Sequence, residues 1–477
     1  MLISILAFVA LNGVALASEF YLLSLIPFAA LVAYLVLYQT KTLVLFISFA
    51  TPLSFNFEDL SGFGGIGFYF PTEPLLFALM VLYLLKFLAG YRENKRLLKH
   101  PLTIAIFANI IWIGITALAS VDLVVSLKFL ISRLWFVLVM YFMINVYFRD
   151  REFISRFLKV FIFSMSVVIV YTIFNHSLHG FNEEAGHWVM SPFFKDHTSY
   201  GAILAFLFPL VVFHFAKAKG LSFSQFLWLS LTVLFSLGIV LSYTRAAWVS
   251  LVGALGIYFL IKLRINYKLV ILVLAGLTGL FFAFQVEILH QLEKNRQDSS
   301  DSFAEHVQSI TNINTFASNL ERLNSWNRGW RMFLDKPVFG HGPGTYMFEY
   351  AKYQKSSDRT IISTNTADAG NAHSEYLGPL SESGVLGMLT ILIIVIVSLN
   401  TGIKLYYQLD HDPYLKGVVL SIVLGLVTYF LHGILNNFLD TDKASVPIWG
   451  SLSILVAISI YHRDHINRQQ SKAVSSK

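Results

Sequence analysis

Apolar runs alternate with short polar stretches along the whole chain, and that alternation sets the fold class. Runs of about 15–25 apolar residues, long enough to cross a hydrocarbon core, recur about fourteen times. They fall near 2–17, 20–38, 42–55, 73–90, 101–119, 129–148, 154–175, 199–216, 224–242, 246–261, 269–286, 376–400, 415–435 and 445–461, the third being short for a crossing. The pattern predicts an all-α polytopic membrane protein with about 12–14 transmembrane helices. One long polar interval, residues 287–375, breaks the rhythm. The expected organisation is therefore helices 1–11 over 1–286, a loop domain over 287–375, helices 12–14 over 376–461 and a tail over 462–477.

Charge placement orients this array. Every second connection is basic: Lys41, then Arg92 to Lys99, Arg149 to Arg156, Lys217 and Lys219, Lys262 to Lys268, Lys404 and Lys416, and finally Arg463 to Lys472. Alternate loops such as those with Glu58-Asp59 and Glu183-Glu184 are acidic or neutral. Lysine and arginine mark cytoplasmic loops, so both termini are expected in the cytoplasm and 287–375 outside. Composition agrees: of 477 residues 56% are hydrophobic and only 13% charged, more apolar surface than a soluble chain can bury. The net charge of +7 is accounted for by the cytoplasmic loops, with no nucleic-acid partner implied. The absence of cysteine removes disulfides and thiolate metal sites. Leu2 to Ala17 has a signal-like core but no basic segment before it, and reads as a retained first helix.

The 287–375 loop carries order of its own. Ser302-Phe303-Ala304-Glu305 reads as a capping box. Phe316, Leu320, Leu323, Trp326, Trp330 and Phe333 follow at helical spacing, an aromatic face expected to pack on the membrane domain or lie in the interface. Pro337 and Gly340-His341-Gly342-Pro343-Gly344 then end the helix in a turn, read as structural because it follows no strand and fits no phosphate-binding loop.

Three arginines oppose the charge bias. Arg245 lies in the near-loopless join Ser242-Tyr243-Thr244-Arg245-Ala246-Ala247-Trp248, Arg322 on the amphipathic helix just before Trp326, and Arg133 some residues inside its span, near Lys128. Charges at such depths are costly and usually partnered. Together they suit a diphosphate, whose oxygens match guanidinium forks; snorkelling with local carboxylate pairs is the competing account. No Asp or Glu falls deep in a span, no nucleotide motif occurs, and His187, His197 and His341 lack metal-ligand spacing. His373 lies in Gly370-Asn371-Ala372-His373-Ser374-Glu375-Tyr376-Leu377, where the polar interval meets the next apolar run. Histidine titrates near physiological pH, but a lone one is more often structural. Spacing alone leaves a site for an anionic lipid and a structural histidine evenly balanced.

Several of these segments, in order, resemble the O-antigen ligase/O-antigen polymerase superfamily of bacterial inner-membrane glycosyltransferases. Ser242 to Trp248 resembles its Ser-x-Ser-Arg-Gly-Ala-Trp segment, with Thr244 and Ala246 as departures. Arg322 to Trp326 and Lys336 to Gly344 resemble Arg-x-x-x-Trp and Pro-Leu-x-Gly-x-Gly. His373 to Leu377 and Glu382 to Gly387 resemble His-Asn-x-Tyr-Leu and Glu-x-Gly-x-x-Gly, with Ser374 in place of Asn. Asp196-His197-Thr198 stands where a polar Asn-His pair often precedes a helix, and the likeness covers about 190–460.

The resemblance implies transfer of a glycan from undecaprenyl diphosphate to an acceptor hydroxyl at the periplasmic face, with no metal or other cofactor. Donor and acceptor would be an undecaprenyl-diphosphate-linked glycan and lipid A-core or a growing glycan, met in the lipid bilayer of the inner membrane. It casts His373 as base and Arg245 and Arg322 as the diphosphate grip, with Arg133, His197, Trp326, Tyr376 and Glu382 binding substrate. A polymerase or a protein-glycosylating relative would share these residues, and a flippase of lipid-linked oligosaccharides is the alternative of another class.

Overall fold

The structure, a computed structural model, describes residues 8, 10–14, 17–18, 23–24, 26–57, 68–220, 222–265, 322–355 and 370–462. Most of the first apolar run, the Glu58-Asp59 loop, the run at 269–286, the Ser302–Glu305 capping box, Phe316, Leu320 and the basic tail lie outside the described residues.

The chain is an all-α polytopic membrane protein. Its principal elements are α1 (Ile26–Tyr38), α2 (Thr40–Leu53), strands β1 (Phe55–Asn56) and β2 (Tyr69–Phe70), α3 (Thr72–Leu88), α4 (Pro101–Leu118) and α5 (Leu123–Val137). Then come α6 (Arg151–Leu178), α7 (His197–Lys217), α8 (Phe223–Leu241) and α9 (Arg245–Lys262). A helix over 322–335 is α10. The last three are α11 (Leu377–Gln408), α12 (Pro413–His432) and α13 (Asp442–Ala457). Among the described residues nine helices are long and apolar enough to cross a membrane, and α1 with α2 makes a further pair bent by 118°. That bend is how the short third run is accommodated: α1 and α2 form a broken span or a re-entrant pair. β1 and β2 pair antiparallel, Phe55 opposite Phe70 and Asn56 opposite Tyr69.

Local chemistry sets the helix ends. Pro101 and Pro413 occupy first-turn positions, where the missing N–H costs nothing. Asp150 caps α6 through the Glu152 N–H at 2.9 Å, Ser222 caps α8 through Gln225 at 3.2 Å, and Asp412 caps α12 through Tyr414 and Leu415 at 3.0 Å. α5 continues through π-helical Leu138–Met143 and 3₁₀ Asn145–Arg149, so its crossing runs from Leu123 to Arg149.

The chain forms two compact units. The first holds α1–α3, the hairpin, residues 132–196 and the chain from Asp440 onward. Within it α2 packs on α6, and α13 packs on α2 and on the irregular end of α5. Trp449 of α13 is fully buried, and Gly450 lies so close to the Phe157 ring that a Cβ there would overlap it. The second unit holds residues 100–131 and 197–439. α12 is its axis and touches α7, α9 and α11, while α4 lies along α11. Small residues permit the close approach that membrane helices need. Gly425 of α12 meets the Phe206 carbonyl of α7, and Gly253 of α9 meets Leu431 of α12.

A candidate active site in the second unit

The site begins with a strained turn between α8 and α9. Ser242 Oγ donates to the Ile239 carbonyl at 2.8 Å and accepts the Thr244 N–H at 3.3 Å. Tyr243 takes a left-handed backbone, φ 50°, which a bulky residue holds only where its surroundings impose it. Thr244 Oγ1 donates to the His197 carbonyl at 2.7 Å and rests on Gly201, where any side chain would collide with it. Trp248 Nε1 closes the turn on the Ile239 carbonyl at 3.1 Å. Arg245 thus opens α9, exposed, and without a hydrogen bond or ion pair among the described residues. A cation at a helix N-terminus is disfavoured by the dipole by roughly 0.3–1 kcal/mol. The fold spends that energy to hold an exposed guanidinium beside the start of α7.

The His373 segment is pinned on both sides of a second left-handed residue. Gly370 lies flat on the Tyr350 ring, too close for any side chain. Ala372 is buried with Met332, Tyr346 and Tyr350. Asn371 Oδ1 accepts the His373 N–H at 3.1 Å, and His373 itself has φ 48° and is half-buried. Ser374 Oγ accepts the N–H groups of Tyr376 and Leu377, both at 3.3 Å, and so caps the entry to α11. Serine and asparagine are both good caps, which accounts for Ser374. Glu375 is buried, and its Oε1 accepts the Tyr429 hydroxyl at 2.6 Å and the N–H groups of Phe438 and Leu439 at 2.7 and 2.8 Å. Its own N–H donates to the Gly433 carbonyl at 2.8 Å, and Tyr376 donates its hydroxyl to the Phe430 carbonyl at 2.9 Å. His373 therefore sits between two anchors, one on the Tyr350 cluster and one on the end of α12.

α10 differs from its expected amphipathic reading. The side it buries is Asn324, Ser325, Arg328 and Met332, whereas Leu323 and Trp330 of the aromatic face are exposed. The reason is a polar dock: Arg328 lies over the Tyr350 ring at 5.2 Å and donates to Ser325 Oγ at 2.8 Å, and Tyr346 donates its hydroxyl to the Ser325 carbonyl at 2.8 Å. The exposed aromatic face leaves the interface reading standing for that side.

The glycine-rich turn is a clamp on α11. Gly384 has φ 69° and kinks α11, and a side chain there would strike the Val338 carbonyl. The N–H groups of His341, Gly342 and Val385 bind the carbonyls of Ser381, Glu382 and Pro337 at 3.2, 2.8 and 3.0 Å. Glu382 Oε1 accepts the Tyr346 N–H at 2.9 Å. Asp335, His341 and Tyr353 lock the turn: Tyr353 donates to Asp335 Oδ2 at 2.6 Å, and His341 Nε2 meets the Tyr353 hydroxyl at 2.9 Å and Asp335 Oδ2 at 3.3 Å. Burial pushes the His341 imidazole below its ordinary range, against the pull of the Ser381 carbonyl and Asp335. The Tyr353 hydroxyl draws the Asp335 carboxyl below its usual range.

The candidate residues therefore fall into groups. Arg245 and His197 are joined through Thr244. His373 and Tyr376 share the double-anchored segment, and Glu382 holds the clamp. Arg322 and Trp326 are half-buried in the first turns of α10, Arg322 being ten residues, or about 15 Å of helix, from Met332. Arg133 belongs to the first unit, buried and 2.5 Å from Asp440. Glu375, Arg328 and the 433–439 segment were not anticipated. The one signal for Glu375 was a carboxylate immediately before an apolar run.

Residues 229–392 match a family model described as O-Antigen ligase. The domain over those residues is that of the O-antigen ligase/polymerase superfamily. No curated protein matches the chain. The O-antigen ligase domain begins inside α8 and ends inside α11, so it contains Arg245, Arg322, Trp326, His373, Tyr376 and Glu382. His197, Arg133 and the Gly433–Leu439 anchor of Glu375 lie outside it.

Proposed function

We propose that the protein is an O-antigen ligase-type glycosyltransferase that moves a glycan from undecaprenyl diphosphate onto an acceptor hydroxyl of the lipid A-core. The observation that carries this reading is the exposed Arg245, held against the α9 dipole by a strained turn inside the matched domain. A helix N-terminus with an exposed guanidinium suits a diphosphate. In the proposed reaction the acceptor hydroxyl gives its proton to the His373 imidazole as its oxygen attacks the anomeric carbon. The bond from that carbon to the diphosphate oxygen breaks, and the departing charge is met by Arg245 and Arg322. The imidazolium then releases its proton to water or to the product diphosphate. Attack opposite the leaving group inverts the anomeric carbon. No general acid is needed, because a diphosphate leaves as a stable anion.

His197, Trp326, Tyr376 and Glu382 complete the proposed set of substrate-binding residues, His197 tied to Thr244 beside Arg245 and Tyr376 on the His373 segment. Arg133, paired with Asp440 in the first unit, is the remaining substrate-binding candidate. The alternating basic loops support a periplasmic site in the inner membrane, with 287–375 as the loop domain carrying the reaction.

The test is the lipopolysaccharide ladder of a strain lacking the protein, run beside its lipid-linked glycans. Loss of all attached chains, with long glycan held on the carrier, is the expected result. Core bearing a single repeat would make the protein a polymerase. An unchanged ladder would overturn the lipid A-core acceptor, and unchanged carrier-linked pools as well would overturn transfer itself.

A further inference from the structure

A second cluster of charge lies in the first unit, outside the O-antigen ligase domain. It is formed where the end of α2, strand β2 and the starts of α3 and α13 meet. Lys443 is buried, and its Nζ donates to the carbonyls of Thr51 and Ser54, both at 2.6 Å, and to Ser54 Oγ at 2.5 Å. Three acceptors for three N–H bonds is the geometry of an ammonium. The rings of Tyr69 and Phe194 each lie 5.4 Å from it, and the negative end of α2 faces it. Asp442 is fully buried, and its Oδ2 accepts the hydroxyls of Ser54, at 2.5 Å, and Thr72. Lys443 and Asp442 thus cancel through Ser54.

Glu73 is the charge left over. It is buried, its Oε2 accepts the Tyr69 N–H at 3.0 Å, and among the described residues it is tied to Asp442 through the adjacent Thr72 hydroxyl and to Lys443 through the Tyr69 ring. The Arg133 guanidinium is already paired with Asp440, just before α13. Two carboxylates against one ammonium leave one negative charge in a place closed to water, which is costly without a counter-charge. Asp442 Oδ1 is meanwhile a buried acceptor with no hydrogen-bond partner among the described residues. The excess charge and the unfilled acceptor call for the same thing. We propose that Glu73, Asp442 and Lys443 form a binding site for one monovalent cation, either a proton taken up by one of the two carboxylates or a sodium ion.

The test uses the full chain in lipid nanodiscs. If sodium is the ligand, sodium chloride but not choline chloride at equal ionic strength raises Tm saturably by roughly 2 °C or more, and Glu73→Gln abolishes the shift. If a proton is, the sodium-free protein at neutral pH shows the infrared carbonyl band of a protonated carboxylic acid, and Glu73→Gln or Asp442→Asn removes it. A wild-type protein with neither signal overturns the site, whether or not the variants fold. A signal that persists unchanged in both variants overturns it as well.

Discussion

Arg133, ten residues inside its crossing, and Arg245, the first residue of α9, are both arginines of membrane helices, and the fold treats them oppositely. Arg133 is 7% exposed and sits 2.5 Å from Asp440. Arg245 is exposed, has no ion pair among the described residues, and is kept in place by Thr244, Ser242 and the strained Tyr243. One charge is neutralised by its own chain; the other is presented outward at an energetic cost. An unpaired cation that the scaffold labours to hold is the better candidate for binding an anion.

The sharpest way to break this contrast is at the presented charges. His373→Ala should lower glycan transfer by ~10²–10⁴-fold and Arg245→Ala by ~10²–10³-fold, as for loss of a base or of a charge-stabilising donor. Neither should shift the unfolding midpoint appreciably. Transfer from purified lipid-linked glycan, read beside thermal unfolding, checks both, and a large stability loss with normal turnover for Arg245→Ala would invert the comparison.

The partnered charge should behave the other way. Asp440→Ala takes from a buried guanidinium the carboxylate that faces it and should cost about 3 kcal/mol. Arg133→Ala leaves Asp440, which at 43% exposed can be hydrated, and should cost less. Unfolding of both single variants and the double variant measures the asymmetry. Equal losses for the two singles would mean the pair is not as drawn.

Glu375 tests whether the anchoring of His373 matters separately from its chemistry. Glu375→Gln keeps an acceptor for Tyr429, Phe438 and Leu439 but loses the charge, at a cost of about 1 kcal/mol. The expected mark is a lower kcat at nearly unchanged KM, with Glu375→Ala more severe on both stability and turnover.

The smallest effect belongs to the His341 clamp. Its imidazole is held below the ordinary range, so the folded state binds fewer protons there than the unfolded chain. The stability this contributes is complete above about pH 6.5 and is lost as pH falls towards the depressed value. Asp335, also held low, adds a loss in the same direction at more acid pH, below its ordinary range. Hydrogen exchange over 322–353 should quicken at about pH 5.5 relative to about pH 7.5, and His341→Gln should flatten the difference.

Much of this was legible in order along the chain. Apolar runs located every long helix among the described residues, most to within about three positions, though α5 starts six residues before its run and α11 ends eight after it, because crossing length is a property of consecutive residues. The motif segments at 242–248 and 373–377 hold left-handed residues, Tyr243 and His373, that nothing in the order of residues announced. The α10 reading failed in part because helical spacing reports which residues share a face, not which face finds a partner. Tyr346 and Tyr350, downstream in sequence, reward the polar side of α10 with a ring and a hydroxyl. Lys443 precedes an apolar run by only two residues, the ordinary place of an interfacial flank, and its partners Thr51 and Ser54 lie far back in the chain.

What the sequence determined by itself is the polytopic α-helical class, the long polar interval and the family of the 229–392 domain, all of which rest on local composition and on residues close in the chain. What only the tertiary structure decided is which charges are spent and which are presented. Asp440 reaches back 307 positions to Arg133, and Lys443 reaches back 392 to Thr51, whereas no such partner meets Arg245 among the described residues. Pairing energy depends on distance in space and on exclusion of water, and neither quantity is written in the order of the residues.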